Sequence, residues 1–399
     1  MENNDRRQFL KKSMIGISGA ALIPTHLSMA ADKAESTGLP FRTLGRTGIN
    51  TPLISIGTGN VTGTGMVRAA YDAGVKLFFS ATYYGEGKNE ILVGDGLKGL
   101  PRDSYVIGTA AIPDGLDKRT GTLSSAFTAE SYMKKVESSL KRFGLDYLDI
   151  VLLPFAGKRE TVQHEEVLKT FERAKKQGKV RFVGIASHGD TVEALDAAAE
   201  SGKYDVAMIS YNFRVQNVEN LNGSIVNAVK AGMGIVAMKT TAGAFRDKSG
   251  PALNTDAALK WVLQNKNISS VVSGMTTLDQ LQKNLFLIHN LKMSDQELKD
   301  LNLTGLNSNP TLYCQQCKKC IPQCPHNLDI PTIMRSYMYA YGYKNIEQAW
   351  YALADAGLVH NSCDQCDVCS VKCNSGFDVK SRISDISRLK DVPVDFLKV

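Results

Sequence analysis

Short apolar runs alternate with amphipathic segments between residues 50 and 290. The runs are nearly continuous rather than alternating, which is the pattern of parallel strands buried on both faces. Eight of them are predicted strands: LISIG (53–57), KLFFSA (76–81), YVIGTA (105–110), LDIVLLP (148–154), RFVGIAS (181–187), VAMISYN (206–212), GIVAMK (234–239) and SSVVSG (269–274). The pattern therefore predicts one parallel sheet whose strands are separated by helices.

The segments between the runs have helical periodicity. In TAESYMKKVESSLKRFG, an apolar stripe includes Met133, Val136 and Leu140, with Thr128 as the predicted N-cap and Gly144 just past the end. Eight strands, each followed by a helix, predict an α/β (β/α)8 TIM barrel with functional groups on the loops after the strands. A doubly wound open sheet is the alternative, but no G-x-G-x-x-G opens a helix after the first strand.

All eight cysteines follow residue 313, in the runs CQQCKKCIPQCP (314–325) and CDQCDVCSVKC (363–373). Three cysteines at successive steps of three suit three thiolates on one compact cluster, and in bacterial ferredoxins the fourth ligates the other cluster. The predicted ligands are Cys314, Cys317, Cys320 and Cys373 for one [4Fe–4S] cluster, and Cys363, Cys366, Cys369 and Cys324 for the other. A disulfide framework and structural zinc are the alternatives, and the triple spacing disfavours both. Residues 311–399 are therefore a predicted ferredoxin-like domain with two clusters.

The chain begins MENNDRRQFLKKSMIGISGAALIPTHLSMA. A charged start, an apolar run and a small-residue stop near Ala30 predict a signal peptide over residues 1–30. The apolar run is shorter than the about 20 residues that span a bilayer. Arg6-Arg7 resembles the twin-arginine signal, which predicts export of the folded protein to the periplasm. Export after folding suits thiolates that must be metallated before they meet an oxidising compartment.

Composition and charge exclude some partners. The chain is 43% hydrophobic and 22% charged, and its net charge of +7 is spread without long basic runs. Nucleic acid and anionic membrane surfaces are therefore not predicted partners, and no transmembrane span is predicted in the mature chain. The length of 399 residues suits one large domain and one smaller domain.

The segment FRTLGRTGINTPLISIG (41–57) resembles the opening of the aldo-keto reductase family. The segments GVKLFFSATYYG, LKRFGLDYLDIVLL, GKVRFVGIASHG and SSVVSGMTTLDQLQKNL follow in that family's order. The resemblance implies a barrel domain over residues 41–305, a small-molecule substrate and hydride transfer from a nicotinamide to a carbonyl. It is closest to the branch that has a C-terminal ferredoxin-like domain.

The resemblance also places the family's catalytic groups. The family's proton-donating tyrosine maps onto Tyr84, but its aspartate, lysine and histidine map onto Phe79, Ala110 and Pro154. A phenol titrates near pH 10, and it needs a nearby cation to serve as an acid near pH 7. Tyr84 is therefore expected to donate a hydrogen bond to a ligand, and not to act as the family's tyrosine does.

Two other residues are candidate catalytic groups. His188 follows the fifth strand where the family contacts the nicotinamide amide, and Lys239 ends the seventh strand. Arg214 follows the sixth strand and is expected to be a solvated loop charge. The tyrosines between 337 and 343, with Trp350, are expected to pack around the clusters and against the barrel.

NAD or NADP is a candidate cofactor by the same resemblance. The candidate cofactor-binding residues are Ser187, Asn212, Ser273, Gly274 and Asn284. Gln280 stands where many members have an arginine, which weakens any preference for a 2′-phosphate.

The sequence thus predicts an exported, aldo-keto-reductase-like iron–sulfur oxidoreductase. Its substrate would be a small carbonyl or hydroxyl compound such as a sugar, and electrons would pass through two [4Fe–4S] clusters to a redox partner that the sequence does not identify. The alternative is an electron-transfer or ligand-binding protein whose barrel no longer catalyses.

Overall fold

Eight parallel strands close into a barrel, as the apolar runs predict. The structure, a computed structural model, describes residues 38–243, 253–303 and 312–397, so the predicted signal peptide lies outside the described residues. The strands are β1 Phe41–Thr43, β2 Asn50–Pro52, β3 Ile54–Gly57, β4 Leu77–Ala81, β5 Val106–Ala110, β6 Leu148–Pro154, β7 Val180–Ser187, β8 Val206–Ser210, β9 Gly234–Met238 and β10 Ile268–Ser273. The (β/α)8 prediction is therefore confirmed.

The barrel closes by pairing of its last strand with its first. The strand order runs from β3 to β9 in sequence, and β10 pairs in parallel with both β9 and β3, where Val271 lies opposite Ile54. The short hairpin of β1 and β2 is antiparallel, with Phe41 opposite Pro52. Parallel strands place all their carboxyl ends at one mouth, where function is expected in this fold.

Helices surround the barrel and form most of the C-terminal segment. They are α1 Thr64–Asp72, α2 Lys88–Leu97, α3 Ala129–Phe143, α4 Arg159–Val162, α5 Glu165–Lys176, α6 Thr191–Ser201, α7 Val218–Lys230, α8 Thr255–Gln264, α9 Leu278–Leu287, α10 Asp295–Leu303, α11 Ile330–Tyr337, α12 Ile346–Asp355 and α13 Val379–Ser387. Helix α3 has its predicted cap, since the Thr128 side chain accepts a hydrogen bond from the Ser131 backbone N–H, at 3.1 Å. Gly144 ends it at φ 67°, a conformation that favours glycine.

Two apolar layers build the barrel. One layer packs strands against the outer helices, and includes Phe78, Ile107 and Val151. The other fills the interior and includes Phe79 and Leu152. Successive strand residues point to opposite faces, and these two layers cover both faces. Nearly every strand position is therefore buried, which explains the continuous apolar runs.

The C-terminal segment has a small core of its own. Ile333 on α11, Leu353 on α12 and Ile383 on α13 pack together, and the cysteine runs lie outside these helices. Helix α11 continues into a π-helical turn over Met338–Gly342. Within the ranges that the structure describes, no helix is both long and apolar enough to cross a bilayer.

Candidate functional site

The eight thiols form the two sets that the cysteine spacing predicts. One cavity of about 350 Å³ is lined by four thiols, those of Cys324, Cys363, Cys366 and Cys369. The other set lies around Cys314, which interacts electrostatically with Cys320, Cys373 and Cys317. The fourth cysteine of each run thus joins the other run's set. That these thiols ligate iron stays a prediction.

The arrangement of the thiols fits a cluster better than a single ion. A tetrahedral zinc with Zn–S of about 2.3 Å would draw its thiolates to within about 4 Å of one another. Across the described ranges, no three histidine, cysteine, aspartate or glutamate side chains converge closely enough to bind one metal ion. One of the two sets surrounds the cavity described above, and all eight thiols are free of disulfides.

Backbone and side-chain donors already point at the sulfurs. The backbone N–H groups of Gln316 and Ser375 donate to the sulfurs of Cys314 and Cys373, each at 3.4 Å. His326 Nε2 lies 3.3 Å from the sulfur of Cys366. Burial, with the neighbouring thiols, raises the pKa of Cys314 to about 12, so binding of a metal cluster would have to release its proton.

The C-terminal segment covers the barrel mouth. The described residues belong to one compact unit. Gln315 Nε2 donates to the Arg214 carbonyl at 2.6 Å, and Lys318 pairs with Asp190 at 2.8 Å. A Cβ on Gly189 would lie 2.7 Å from the Cβ of Gln316, so that close approach requires glycine.

Further contacts extend this cover across the mouth. Asn345 donates to Asn60, in the loop after β3, at 2.9 Å. Lys118, after β5, pairs with Asp355 on α12 at 2.8 Å. The cover therefore rests on loops that follow β3, β5, β7 and β8.

Aromatic rings line one side of the mouth. Tyr84 packs edge-on against Tyr83 with ring centres 5.1 Å apart, and Tyr83 lies 5.4 Å from Phe155. Phe155 in turn stacks on His188 at 5.9 Å. The acid that follows Tyr83 and Tyr84 in the chain, Glu86, is exposed, so it does not serve these rings as a carboxylate partner.

Tyr84 lies among other tyrosines and beside a lysine. Burial, with a contribution from Tyr339, raises the pKa of Tyr84 to about 12, although Lys239 opposes the shift. Tyr84 is thus a poor proton donor at neutral pH, which agrees with the expectation that it donates a hydrogen bond only.

Lys239 lies beneath two tyrosines of the C-terminal segment. Its Nζ is 5.1 Å from the centre of the Tyr339 ring and 5.4 Å from that of Tyr343. Burial would lower the pKa of Lys239, but Tyr339, Tyr343 and Tyr84 outweigh it and raise this pKa. Burial would likewise raise the pKa of Tyr339, but Lys239 and then Arg335 outweigh it and lower this pKa. Among the tyrosines around Lys239, Tyr339 is thus the one whose pKa is lowered, while the pKa values of Tyr84 and Tyr343 are raised.

The backbone around Lys239 is unusual. Lys239 has φ 57°, and Phe155 and Asp190, which follow β6 and β7, have φ 54° and 53°. Non-glycine residues in this region carry strain of about 1–3 kcal/mol, and such residues concentrate at functional sites. The Lys239 carbonyl accepts a hydrogen bond from the Asn212 side chain at 3.0 Å, which fixes the end of the strand.

One cavity joins the barrel mouth to the first thiol set. It is about 260 Å³, including the part open to solvent, and its lining includes His188, Lys239, Arg335 and Cys314. The Nδ1 atom of His188 is buried and has no hydrogen-bond partner in the part of the chain that the structure describes. The catalytic candidates His188 and Lys239 are thus brought together with a predicted cluster ligand.

The residues that the resemblance places at the family's other catalytic positions are buried and uncharged. Phe79 and Ala110 lie inside the barrel, with 4% and 5% of their surface exposed. The Phe79 ring lies against Gly108, where a Cβ would come within 2.0 Å of the ring. Pro154 is buried at the end of β6, paired with Ala186.

The residues expected to bind a nicotinamide form hydrogen bonds with other residues of the chain. Ser187 and Asn212 are both fully buried. Ser187 donates to the Gly189 carbonyl at 2.7 Å, and the Asn212 oxygen accepts from the Arg214 N–H at 3.0 Å. Tyr313 of the covering segment also interacts with the Asn212 amide. A nicotinamide amide that bound Ser187 and Asn212 would have to share or replace these hydrogen bonds.

The other predicted nucleotide residues lie apart from these, after β10. Asn284 Nδ2 donates to the Ser273 hydroxyl at 3.1 Å, and Gln280 accepts from the Thr276 N–H at 2.8 Å. Gly274 is exposed beside them. These polar groups are satisfied within the described part of the chain, and none of these residues is an arginine that could bind a phosphate.

Sequence reasoning missed the contribution of α11 and misjudged Arg214. Tyr339 packs against the barrel as expected, but it also contacts Lys239, and Arg335 joins the same cavity. A lone arginine within the apolar run IMRSYMYAY was the available signal. Arg214 is only 6% exposed, so the expectation of a solvated loop charge was wrong; the covering segment buries it.

Residues 62–255 match the family described as "Aldo/keto reductase family", and residues 313–378 match the "4Fe-4S dicluster domain". L-galactose dehydrogenase of Arabidopsis thaliana is 27% identical over 65% of this chain and 92% of its own. The aldo-keto reductase AKR11C1 from Bacillus halodurans superposes with a TM-score of 0.55 at 18% identity, over 66% of this chain and 96% of its own. An aldo-keto reductase from Klebsiella pneumoniae in complex with NADPH gives 0.51 at 20% identity, over 67% and 95%.

The family matches cover the barrel and the cysteine runs separately, and the two solved structures share the barrel fold. The match at 313–378 spans all eight cysteines, which supports [4Fe–4S] ligation in this segment. The chain therefore matches the aldo/keto reductase family model over most of its barrel and a 4Fe-4S dicluster domain model over its cysteine runs.

Proposed function

We propose that this chain is an exported iron–sulfur oxidoreductase that binds a small carbonyl or hydroxyl compound at the barrel mouth, beneath the cysteine-bearing segment. The observation that carries the proposal is the shared cavity: His188 and Lys239 of the barrel line it together with Cys314. A substrate in that cavity would contact barrel residues and Cys314 of the first thiol set at the same time.

Two sets of four cysteines support two clusters as the resident cofactors. When bound, [4Fe–4S] clusters accept and release single electrons, so two of them match the two electrons that separate an alcohol from a carbonyl. A sugar-like substrate is supported by the activity for which a relative is named, L-galactose dehydrogenase.

The chain's own residues would handle the substrate oxygen and its proton. Lys239 would bind the oxygen, and Tyr339, whose pKa is lowered by Lys239 and Arg335, would take or give the hydroxyl proton at its Oη. The hydrogen on the carbon would be taken or given as a second proton at Nδ1 of His188, which has no partner among the described residues. Phe79, Ala110 and Pro154 leave Tyr84 without the family's charged partners, so the family's tyrosine mechanism is lost. The covering segment would exclude water from the cavity.

Export to the periplasm belongs to the same proposal. Arg6-Arg7 and the apolar run after them support the twin-arginine route, which carries folded and metallated protein. The electron partner would then be periplasmic.

A dye-linked assay tests the proposal. Anaerobic protein is mixed with a panel of sugars and hydroxy compounds and a one-electron dye such as ferricyanide, beside the same panel with NADP⁺. We expect dye reduction and very little nicotinamide turnover. Brisk NADP(H) turnover that collapses in Tyr84→Phe would refute the proposal. Substrate binding without electron transfer to either acceptor would favour a barrel that only binds ligands.

A further inference from the structure

The mouth cavity contains more positive charge than the described carboxylates balance. Lys239 and Arg335 both line it, and neither belongs to any ion pair within residues 38–243, 253–303 and 312–397. Asp355, which lies close enough to influence Tyr339, is paired with Lys118 at 2.8 Å. The cavity lining itself includes no aspartate or glutamate among the described residues.

Both cations are removed from water. Arg335 is 9% exposed, and its NH2 atom donates to the Thr332 hydroxyl at 3.1 Å, within its own helix. Its guanidinium lies 5.8 Å from the centre of the Phe155 ring. Lys239 is covered by tyrosine rings, which are weaker partners than a carboxylate. A buried cation without an anion is costly, so this pair of cations is arranged for a negatively charged ligand.

His188 adds a directional polar group to the same cavity. Its ring is fixed by stacking on Phe155, and its buried Nδ1 atom has no partner among the described residues. Burial, then Lys239 and Arg335, lower the pKa of His188 well below its ordinary value, so the ring is neutral at neutral pH. A neutral imidazole offers one hydrogen bond to a ligand without adding a third charge.

The size of the cavity limits the ligand. Its volume of about 260 Å³ includes the part that is open to solvent, so the enclosed space is smaller still and admits only a compact ligand. A planar guanidinium binds a carboxylate with two parallel hydrogen bonds, and a lysine beside it adds a point charge. A compact carboxylate satisfies both cations within the small space.

We propose that the substrate carries a carboxylate, which binds between Lys239 and Arg335 with its neighbouring hydroxyl or oxo group toward Tyr339. The substrate class is thus a small hydroxy or oxo acid, including acids derived from sugars. This inference rests on the proposed function, because it names the substrate of the same site.

Binding to the anaerobic, cluster-loaded protein tests the inference by calorimetry. The probes are lactate beside lactamide, glycerate beside glycerol, and galactonate beside galactose, so that each acid has a neutral counterpart. We expect the acid of at least one pair to bind at least about tenfold more tightly than its counterpart. Lys239→Gln and Arg335→Gln should each weaken that binding about 10- to 100-fold, the range for a hydrogen bond to a charged group.

Matched controls are available on the surface. Lys179, which pairs with Glu137 at 2.7 Å, and Arg388, which pairs with Asp385, lie away from the cavity. Lys179→Gln and Arg388→Gln should leave binding unchanged, and Arg335→Lys should bind more weakly than wild type but more tightly than Arg335→Gln, because lysine keeps the charge and loses the paired hydrogen bonds. Iron content and the cluster absorption spectrum of each variant show that it is folded and loaded.

Three results would overturn the inference. The first is equal binding of acids and neutral counterparts. The second is tighter binding of glycerol 3-phosphate than of glycerate, which would assign the cations to a phosphate. The third is unchanged acid binding in both glutamine variants with a shifted cluster reduction potential, which would mean that the cations balance the cluster. Because binding is measured without turnover, an acid that binds but reduces no dye would refute the proposed function alone.

Discussion

Replacing Tyr339 by phenylalanine removes one oxygen atom from the proposed site. The ring remains, and so does its contact with the Lys239 ammonium, which lies 5.1 Å from the ring centre. Only the group that takes or gives the proton is lost. Tyr339→Phe therefore separates acid–base chemistry from packing better than any larger change would.

The expected loss is set by the role of the hydroxyl. General acid–base catalysis supplies about 10²–10⁴ in rate, so turnover should fall about 100- to 10,000-fold. Removing a buried partner of Lys239 should cost about 1–3 kcal/mol of folding stability. That cost is small beside the about 5–15 kcal/mol of a typical domain, so the variant should fold and retain its clusters.

The assay is dye-linked oxidation of the best hydroxyl substrate, with Tyr343→Phe as the matched control. Tyr343 also lies over Lys239, at 5.4 Å, and its pKa is raised by burial, so its loss should change turnover little. The pH profile adds a second readout. Tyr339 acts as a base only when ionised, so the rate should rise with pH through a pKa that lies below the ordinary value of about 10.

The same pH profile shows in which direction Lys239 shifts the pKa of Tyr339. Lys239→Met removes the cation that lowers the pKa of Tyr339, so the rising limb should move to higher pH. A Tyr339→Phe variant that keeps wild-type turnover, beside an inactive Tyr84→Phe, would refute this reasoning and return the catalytic role to Tyr84.

Three further predictions concern the clusters, the export signal and the cover. Protein purified anaerobically should be brown, with about eight iron per chain, whereas zinc or disulfide-locked thiols in fresh protein would contradict the cluster assignment. Arg6→Lys with Arg7→Lys should leave the loaded protein in the cytoplasm on cell fractionation, and unchanged export would indicate another route. Gly189→Ala should destabilise the cover by about 1–3 kcal/mol and lower iron retention, because its Cβ would lie 2.7 Å from the Cβ of Gln316. Gly63→Ala, where nothing lies within 4 Å, is the control, and equal iron retention in both variants would argue against the contact.

The sequence predicted the barrel well because its signals are local. Each buried strand imposes an apolar run, and LDIVLLP at 148–154 coincides with strand β6. The cap of α3 at Thr128 was readable for the same reason, since a threonine before an amphipathic segment satisfies the first free N–H groups. The cysteine sets were predictable because the spacing within each run constrains which thiols can share a cluster.

The acid–base part of the site was not predictable in this way. Tyr339 and Arg335 lie on a C-terminal helix, and only tertiary packing brings them over Lys239. In the sequence they look like packing residues of an apolar helix. Arg214 was misjudged for a related reason, since its burial depends on the covering segment and not on its own loop. Long-range contacts leave little trace in one sequence.

The central claim is that a substrate at the barrel mouth exchanges electrons with the clusters of the covering segment. Anaerobic stopped-flow absorbance tests it directly: oxidised, cluster-loaded protein is mixed with each hydroxyl compound of the panel, without dye and without nucleotide. We predict that at least one compound bleaches the cluster absorbance in a single turnover, and that Tyr339→Phe slows this bleaching about 100-fold or more. Clusters that stay spectrally unchanged with every compound, while NADP(H) turnover proceeds, would contradict the account.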